Sequence, residues 1–304
     1  MNIGPKKLYR AIALIILVFF SYLIIWNLDV VLRLFQSYKN GTLTEEKVRF
    51  DLASFDLGRR SSVIPIDQKR SAIDGMEQMY IPKGEFAMGI VHESKVVSSP
   101  QHIVYLNAFW MDRVEVTNAM YLKCMRATGC AAPAAHNTYY NNWIYRDHPI
   151  VYITWDQASI YCLWAGRRLP TEAEWEKAAR GTDGRMYPWG NEAPSPRLAN
   201  FSSALIGESV SSYRYPLGAS PYGVLNMSGN VREWVADWYD PDYYSYSPYA
   251  NPQGPENGQE RSLRSTSYNE DEHEIFVTNR LRHEPQSPGL SRGFRCAQDA
   301  EAGK

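Results

Sequence analysis

The sequence predicts a loop-rich globular domain with little regular secondary structure, set behind an apolar N-terminal segment. Three observations carry this reading. The 21 Tyr and 9 Trp are concentrated after position 100 among many of the 20 Gly and 18 Pro, a composition that pins irregular chain with large side chains rather than bundling helices. Helix-cap signals mark only a few short helices, between segments of strand-like alternation. One uninterrupted apolar run stands near the start, and no comparable run follows it.

At 304 residues and 44% hydrophobic content, the chain can bury one large core or two modest ones. A formal net charge of −1 removes the electrostatic basis for nucleic-acid binding, so no nucleic-acid partner is expected.

The apolar run, Ala11 to Trp26 in "AIALIILVFFSYLIIW", is slightly shorter than the roughly 20 residues that span a bilayer. It predicts a single transmembrane anchor over 11–28. A cleaved signal peptide is the rival, but Trp26, Asn27 and Leu28 stand where a small-x-small cleavage site belongs. Lys6, Lys7 and Arg10 precede the run, and by the positive-inside rule they hold residues 1–10 in the cytoplasm. The C-terminal bulk is then extracytoplasmic, periplasmic or extracellular.

Residues 29–75 read as a stalk or linker. They mix a short amphipathic stretch, "TEEKVRFDLASF", with the polar "GRRSSVIPIDQKRSAIDG", and the alternative is an extra helix packed on the domain or on a partner. From Met76 onward, through 304, turn signals become dense. "MEQMYIPKGEFAMG" predicts a hairpin or strand–turn–strand, and "HIVYLNAFWMDRVEVT" a second strand pair. Thr117 caps a helix over "NAMYLKCMRATG". Thr154 with Gln157 and Thr171 with Glu174 have capping-box spacing, and both helices close at a glycine.

Four cysteines, Cys124, Cys130, Cys162 and Cys296, are the even count expected of two disulfides in an outward-facing chain. No zinc-ligand spacing accompanies them.

The ordered series "IPKGEFAMG", "VEVTNAMY", "PIVYITWDQASIYCLWAGRRLPTEAEWEKAARG", "YPWGNE", "YGVLNMSGNVREWVADWY" and "RGFRCA" resembles the formylglycine-generating enzyme, or sulfatase-modifying factor, family over about residues 76–299. The resemblance implies an α+β, C-type-lectin-like formylglycine-generating-enzyme fold of low regular structure, with structural calcium. It also implies a disulfide joining Cys162 to Cys296. The spacing of Cys124 and Cys130 suits closure of a small loop.

The resemblance carries two calcium sites. "NMSGNVREW" matches one, with Asn226, Gly229, Val231 and Glu233 as ligands, a hard-oxygen set of the kind calcium takes. Asn200 and the Phe201 carbonyl match the start of the other, where only Glu208 supplies an acid farther along. Asn40, Asn200 and Asn226 also open glycosylation sequons, a weak signal that competes with ligation.

Enzymes of the family oxidise a sulfatase cysteine to formylglycine with a cysteine pair that holds copper. The pair follows an Arg-Gly-Gly-Ser-Trp segment, matched here by "RSTSY", Arg264 to Tyr268, and Glu270 and Ile275 occupy the two cysteine positions. Neither side chain replaces a thiolate toward Cu(I), so no copper and no catalytic residues are expected. The run Glu270 to Glu274, with His273, offers an Asp/His/Glu set for metal binding or acid–base chemistry; the preferred reading is a solvated acidic loop, because adjacent acids on an extended chain cannot all face one point.

The preferred function is a membrane-anchored, extracytoplasmic, non-catalytic binding or assembly module with a protein partner, such as an accessory subunit of a membrane complex. The Tyr-rich "DPDYYSYSPYANPQGPENG" suits recognition. The alternative is an outward-facing oxidoreductase or other protein-modifying enzyme of the same family.

Overall fold

The computed structural model describes residues 67–91, 98–134, 139–204 and 206–300. The expected cytoplasmic tail, the anchor over 11–28 and the stalk up to residue 66 lie outside the described residues. Among the described residues, no helix is long and apolar enough to cross a membrane.

Among the described residues the architecture is α+β, with three short α-helices and ten short strands. β1 (Gln68–Arg70), β2 (Glu77–Ile81), β5 (Phe109–Asp112) and β10 (Ala297–Asp299) form an antiparallel sheet in the order β1-β2-β5-β10. β3 (Gly84–Met88) pairs only with β4 (His102–Leu106). The Pro82–Lys83 turn is therefore a corner between two sheets rather than a hairpin, and β4 and β5 likewise part company after Leu106. The third sheet runs β8-β7-β6-β9, from β6 (Arg232–Trp238), β7 (Arg261–Arg264), β8 (Leu281–His283) and β9 (Arg292–Phe294), with β6 and β9 parallel.

The folded domain begins before Met76. β1 pairs residue for residue with β2, and Asp74 is buried against Arg167 and Tyr161, so part of the expected stalk belongs to the domain. "QKR" carries no apolar alternation; it is placed by backbone pairing, which leaves no mark in composition, and by Lys69 Nζ, which donates to Gln298 at 2.6 Å and lies over the Trp110 ring.

All three helices start at the expected caps. Thr117 accepts from the Met120 N–H ahead of α1 (Asn118–Arg126). Thr154 and Gln157 form a reciprocal capping box on α2 (Trp155–Trp164), as do Thr171 and Glu174 on α3 (Glu172–Arg180). Gly166 and Gly181, just past α2 and α3, carry φ of +72° and +69°, a conformation open to glycine at no steric cost.

α3 departs most from its sequence. "EAEWEKAAR" is polar on most of its circumference, yet every residue of it is buried. Its charges are matched one by one: Glu174 takes a forked pair of bonds from Arg168 at 2.7 Å each, and Lys177 Nζ donates to the Pro82 and Gly84 carbonyls at 2.8 Å. A buried charge is tolerated only when so satisfied.

Two disulfides, Cys124–Cys130 and Cys162–Cys296, close the structure with Cα separations of 5.3 and 5.6 Å, and no cysteine is free. Cys162 and Cys296 sit in a core with Tyr161, Trp234 and Phe294.

Candidate functional site

The segment after β7 sets out the positions where the family keeps its cysteines. Arg264 ends the strand and points inward. It donates to Glu172 at 3.0 Å, to Glu176 at 2.8 Å and to the Val277 carbonyl at 2.5 Å. Arg280 adds bonds of 2.6 and 3.0 Å to Glu172. Burial pushes the Glu172 carboxyl up, but Arg280 and Arg264 outweigh it and hold the carboxyl below its ordinary range. Asp237, which accepts the Glu172 backbone N–H at 2.7 Å, is driven well upward by burial. The arginine of "RSTSY" is thus a structural anchor inside the domain. Sequence reasoning missed this network, since its members are scattered over more than a hundred residues.

Ser265 has φ +66°, the left-handed region, where the family carries glycine. The backbone path is kept although the residue suited to it is gone. Thr266 Oγ1 accepts the Gly229 N–H at 3.2 Å, and Ser267 Oγ donates to Asn269 Oδ1 at 2.5 Å.

Glu270 and Ile275 then turn apart. Glu270 Oε2 accepts the Ser267 N–H at 2.6 Å, and its carboxylate pairs with Arg232. Ile275 is fully buried in a small cluster with Tyr187, Ala199 and Phe201. Residues 271–274 are all exposed, as expected of a solvated loop. Among the described residues, no group of His, Cys, Asp and Glu is placed to hold a metal. An ion pair and an apolar contact occupy the two positions, and neither offers copper a soft donor.

The two oxygen sets proposed for calcium meet in space. The Asn200 carbonyl accepts the Asn230 N–H at 2.8 Å, and a Cβ on Gly229 would lie 2.4 Å from that carbonyl. Only glycine permits this approach. Glu233 is buried, with Oε2 accepting from Trp175 Nε1 at 2.9 Å and Arg295 Nε at 2.7 Å, and Oε1 from Arg295 Nη2 at 2.7 Å. An ion at Asn226, Gly229, Val231 and Glu233 would share that carboxylate with a guanidinium. Asn226 donates its Nδ2 to Glu115 and to the Ser212 carbonyl, at 2.8 Å each. Burial raises Glu115 to about 7. Asn200 differs: its Nδ2 donates to the Glu208 carbonyl at 2.9 Å, while its buried Oδ1 has no partner among the described residues. An unpaired buried oxygen is what a hard cation takes. Asn200 and Asn226 are 1% and 4% exposed, too enclosed to carry a glycan in the folded chain.

The sulfatase-modifying factor enzyme 1-like domain model matches residues 65–300. The formylglycine-generating enzyme of Streptomyces coelicolor is 34% identical over 287 residues, covering 74% of this chain and 90% of that protein. A mouse protein named inactive C-alpha-formylglycine-generating enzyme 2 is 36% identical over 167 residues, covering 50% of this chain and 49% of that protein. Among solved structures, PvdO from Pseudomonas aeruginosa shares the fold with a TM-score of 0.68 at 24% identity, over 78% of this chain and 99% of that one. The order of the motifs, the fold and the extent of the match agree: this chain belongs to the formylglycine-generating-enzyme, or sulfatase-modifying factor, family.

Proposed function

We propose that this chain is a non-catalytic member of the family, a membrane-anchored extracytoplasmic module that binds or assembles a protein partner. One observation carries the reading. All four cysteines are engaged in disulfides, and the side chains at the two catalytic positions lead in different directions, one to Arg232 and one into an apolar cluster. Thiol-dependent copper chemistry has no ligands here. A mouse relative whose name calls it inactive supports the same reading.

The extracytoplasmic placement rests on the apolar run over 11–28 and on the two disulfides, which persist in oxidising compartments. Recognition falls to the Tyr-rich loop: Tyr243 and Tyr244 are buried and fix its base, while Tyr246 and Tyr249 are 56% and 54% exposed. Rigid aromatic rings displayed on a held loop lose little entropy on contact. Calcium, when bound, would supply charge and rigidity near Asn200 and the Gly229 turn, with Asn200 Oδ1 as the better-disposed oxygen; the Phe201 carbonyl already accepts the Ala204 N–H at 2.8 Å.

The test is incubation of the full chain, in detergent and with copper, with a peptide carrying Cys-x-Pro-x-Arg. Mass spectrometry is expected to return the cysteine unchanged. Formylglycine in the product would overturn the reading. Co-purification from mild detergent should recover a stoichiometric protein partner.

A further inference from the structure

Beside Tyr268, outside the two cysteine positions, lies a recess of about 60 Å³ with aromatic walls. Its lining includes a polar atom left unpaired among the described residues. Asn118, the first residue of α1, is 1% exposed, and its Nδ2 donates to the Tyr145 carbonyl at 2.8 Å. A carbonyl can only accept, so the amide orientation is fixed and Oδ1 is the atom left over. Among the described residues it has no partner. His148 Nδ1 is likewise buried and unpartnered, and burial holds the ring below its ordinary pKa, so it is neutral at pH 7 and repels no cation.

The walls are rings. Tyr139 meets Tyr145 edge-on at 4.7 Å between centroids, and Tyr145 meets His148 at 5.0 Å. Tyr268 adds a further ring to the lining. Glu208 lies at the rim, exposed, with its carboxylate near enough to act electrostatically on both the His148 ring and the Tyr268 phenol. Unpaired acceptors, ring faces and one negative charge together select a hydrogen-bond donor that is also a cation. The small volume selects a compact head.

We propose that this recess takes the ε-ammonium of a lysine side chain presented by a protein partner, with Asn118 Oδ1 and His148 Nδ1 as acceptors, the three tyrosines as ring walls and Glu208 as counter-charge. The inference rests on the binding-module reading and supplies it with a ligand class. A buried acceptor left empty costs free energy that an arriving N–H group recovers, so the recess discriminates against an uncharged side chain of the same length.

The test titrates the full chain in detergent with Nα-acetyl-lysine N-methylamide by calorimetry. The norleucine analogue, the arginine analogue and ethanolamine serve as comparisons. The lysine probe is expected to bind and the norleucine analogue not to. Glu208→Gln and Asn118→Leu should each weaken binding about fivefold or more. Glu208 is exposed, so its variant keeps the fold even where Asn118→Leu does not. Equal binding of norleucine, tighter binding of arginine or ethanolamine, or unchanged affinity in Glu208→Gln would overturn the assignment. The recovered probe is also weighed by mass spectrometry. Covalent change in it would overturn the non-catalytic reading, whereas an intact probe that never binds would overturn the recess alone.

Discussion

The Glu270 carboxylate accepts the Ser267 backbone N–H at 2.6 Å and at the same time meets the Arg232 guanidinium. A residue standing where the family keeps a copper-binding thiol has become a turn cap and half of an ion pair. Glu270→Ala is expected to destabilise the domain by about 1–3 kcal/mol, because it leaves a largely buried N–H and a half-buried guanidinium without partners. Denaturant melts of the full chain check this; an unchanged midpoint would mean that the pair contributes nothing.

Removal of Cys162–Cys296 should cost more than removal of Cys124–Cys130. The first spans 134 residues and the second 6. Chain-entropy estimates put the two near about 5 and about 2 kcal/mol. Paired Cys→Ala variants compared by equilibrium unfolding test the order, and the reverse order would show that strain or residual structure governs instead.

Stability should fall as pH rises through neutrality, in part because of Asp112. Burial pushes its carboxyl from 3.8 to about 7, against the pull of Arg167, with Asp74 adding repulsion. A carboxyl with a raised folded pKa binds a proton in the folded state that the unfolded chain releases. Its contribution is therefore complete below about pH 4 and lost as pH climbs past about 7. Asp112→Asn, which fixes the neutral form, should flatten the Tm–pH profile between pH 5 and 8. A profile as steep as the wild type's would assign the dependence to the other buried carboxyls with raised pKa, Glu115 and Asp237.

Calcium should raise the Tm, and a chelator should lower it, since an ion bound only by the folded state stabilises by mass action, about 2.7 kcal/mol at a hundredfold excess over Kd. Asn200→Ala should remove the sensitivity. It is the cleaner probe, because Glu233→Ala would also strand Arg295 in the core. Identical melts of the wild type with and without calcium would end the proposal.

The local punctuation of this fold was legible in its sequence. Thr117, Thr154 and Thr171 announce the three helices because a cap is a contact between near neighbours, and the low regular structure follows from aromatic residues set among glycine and proline. The motif order and the loss of thiols at Glu270 and Ile275 could also be read directly. Contacts across long stretches of chain could not. Nothing in "EAEWEKAAR" says that the helix is buried, since its burial depends on Arg264 and Arg280 arriving from about a hundred residues away. β1 is held by backbone pairing with β2 and by Lys69, which reaches Gln298 and the Trp110 ring from across the chain. The sequence shows the Glu233 carboxylate but not the Arg295 guanidinium that meets it, and the Asn118 amide but not that Tyr145 takes its nitrogen and leaves its oxygen unpaired among the described residues. Sequence determines which groups a residue offers; tertiary structure decides which offers are taken, because buried polar atoms are satisfied by whatever the fold brings within about 3 Å.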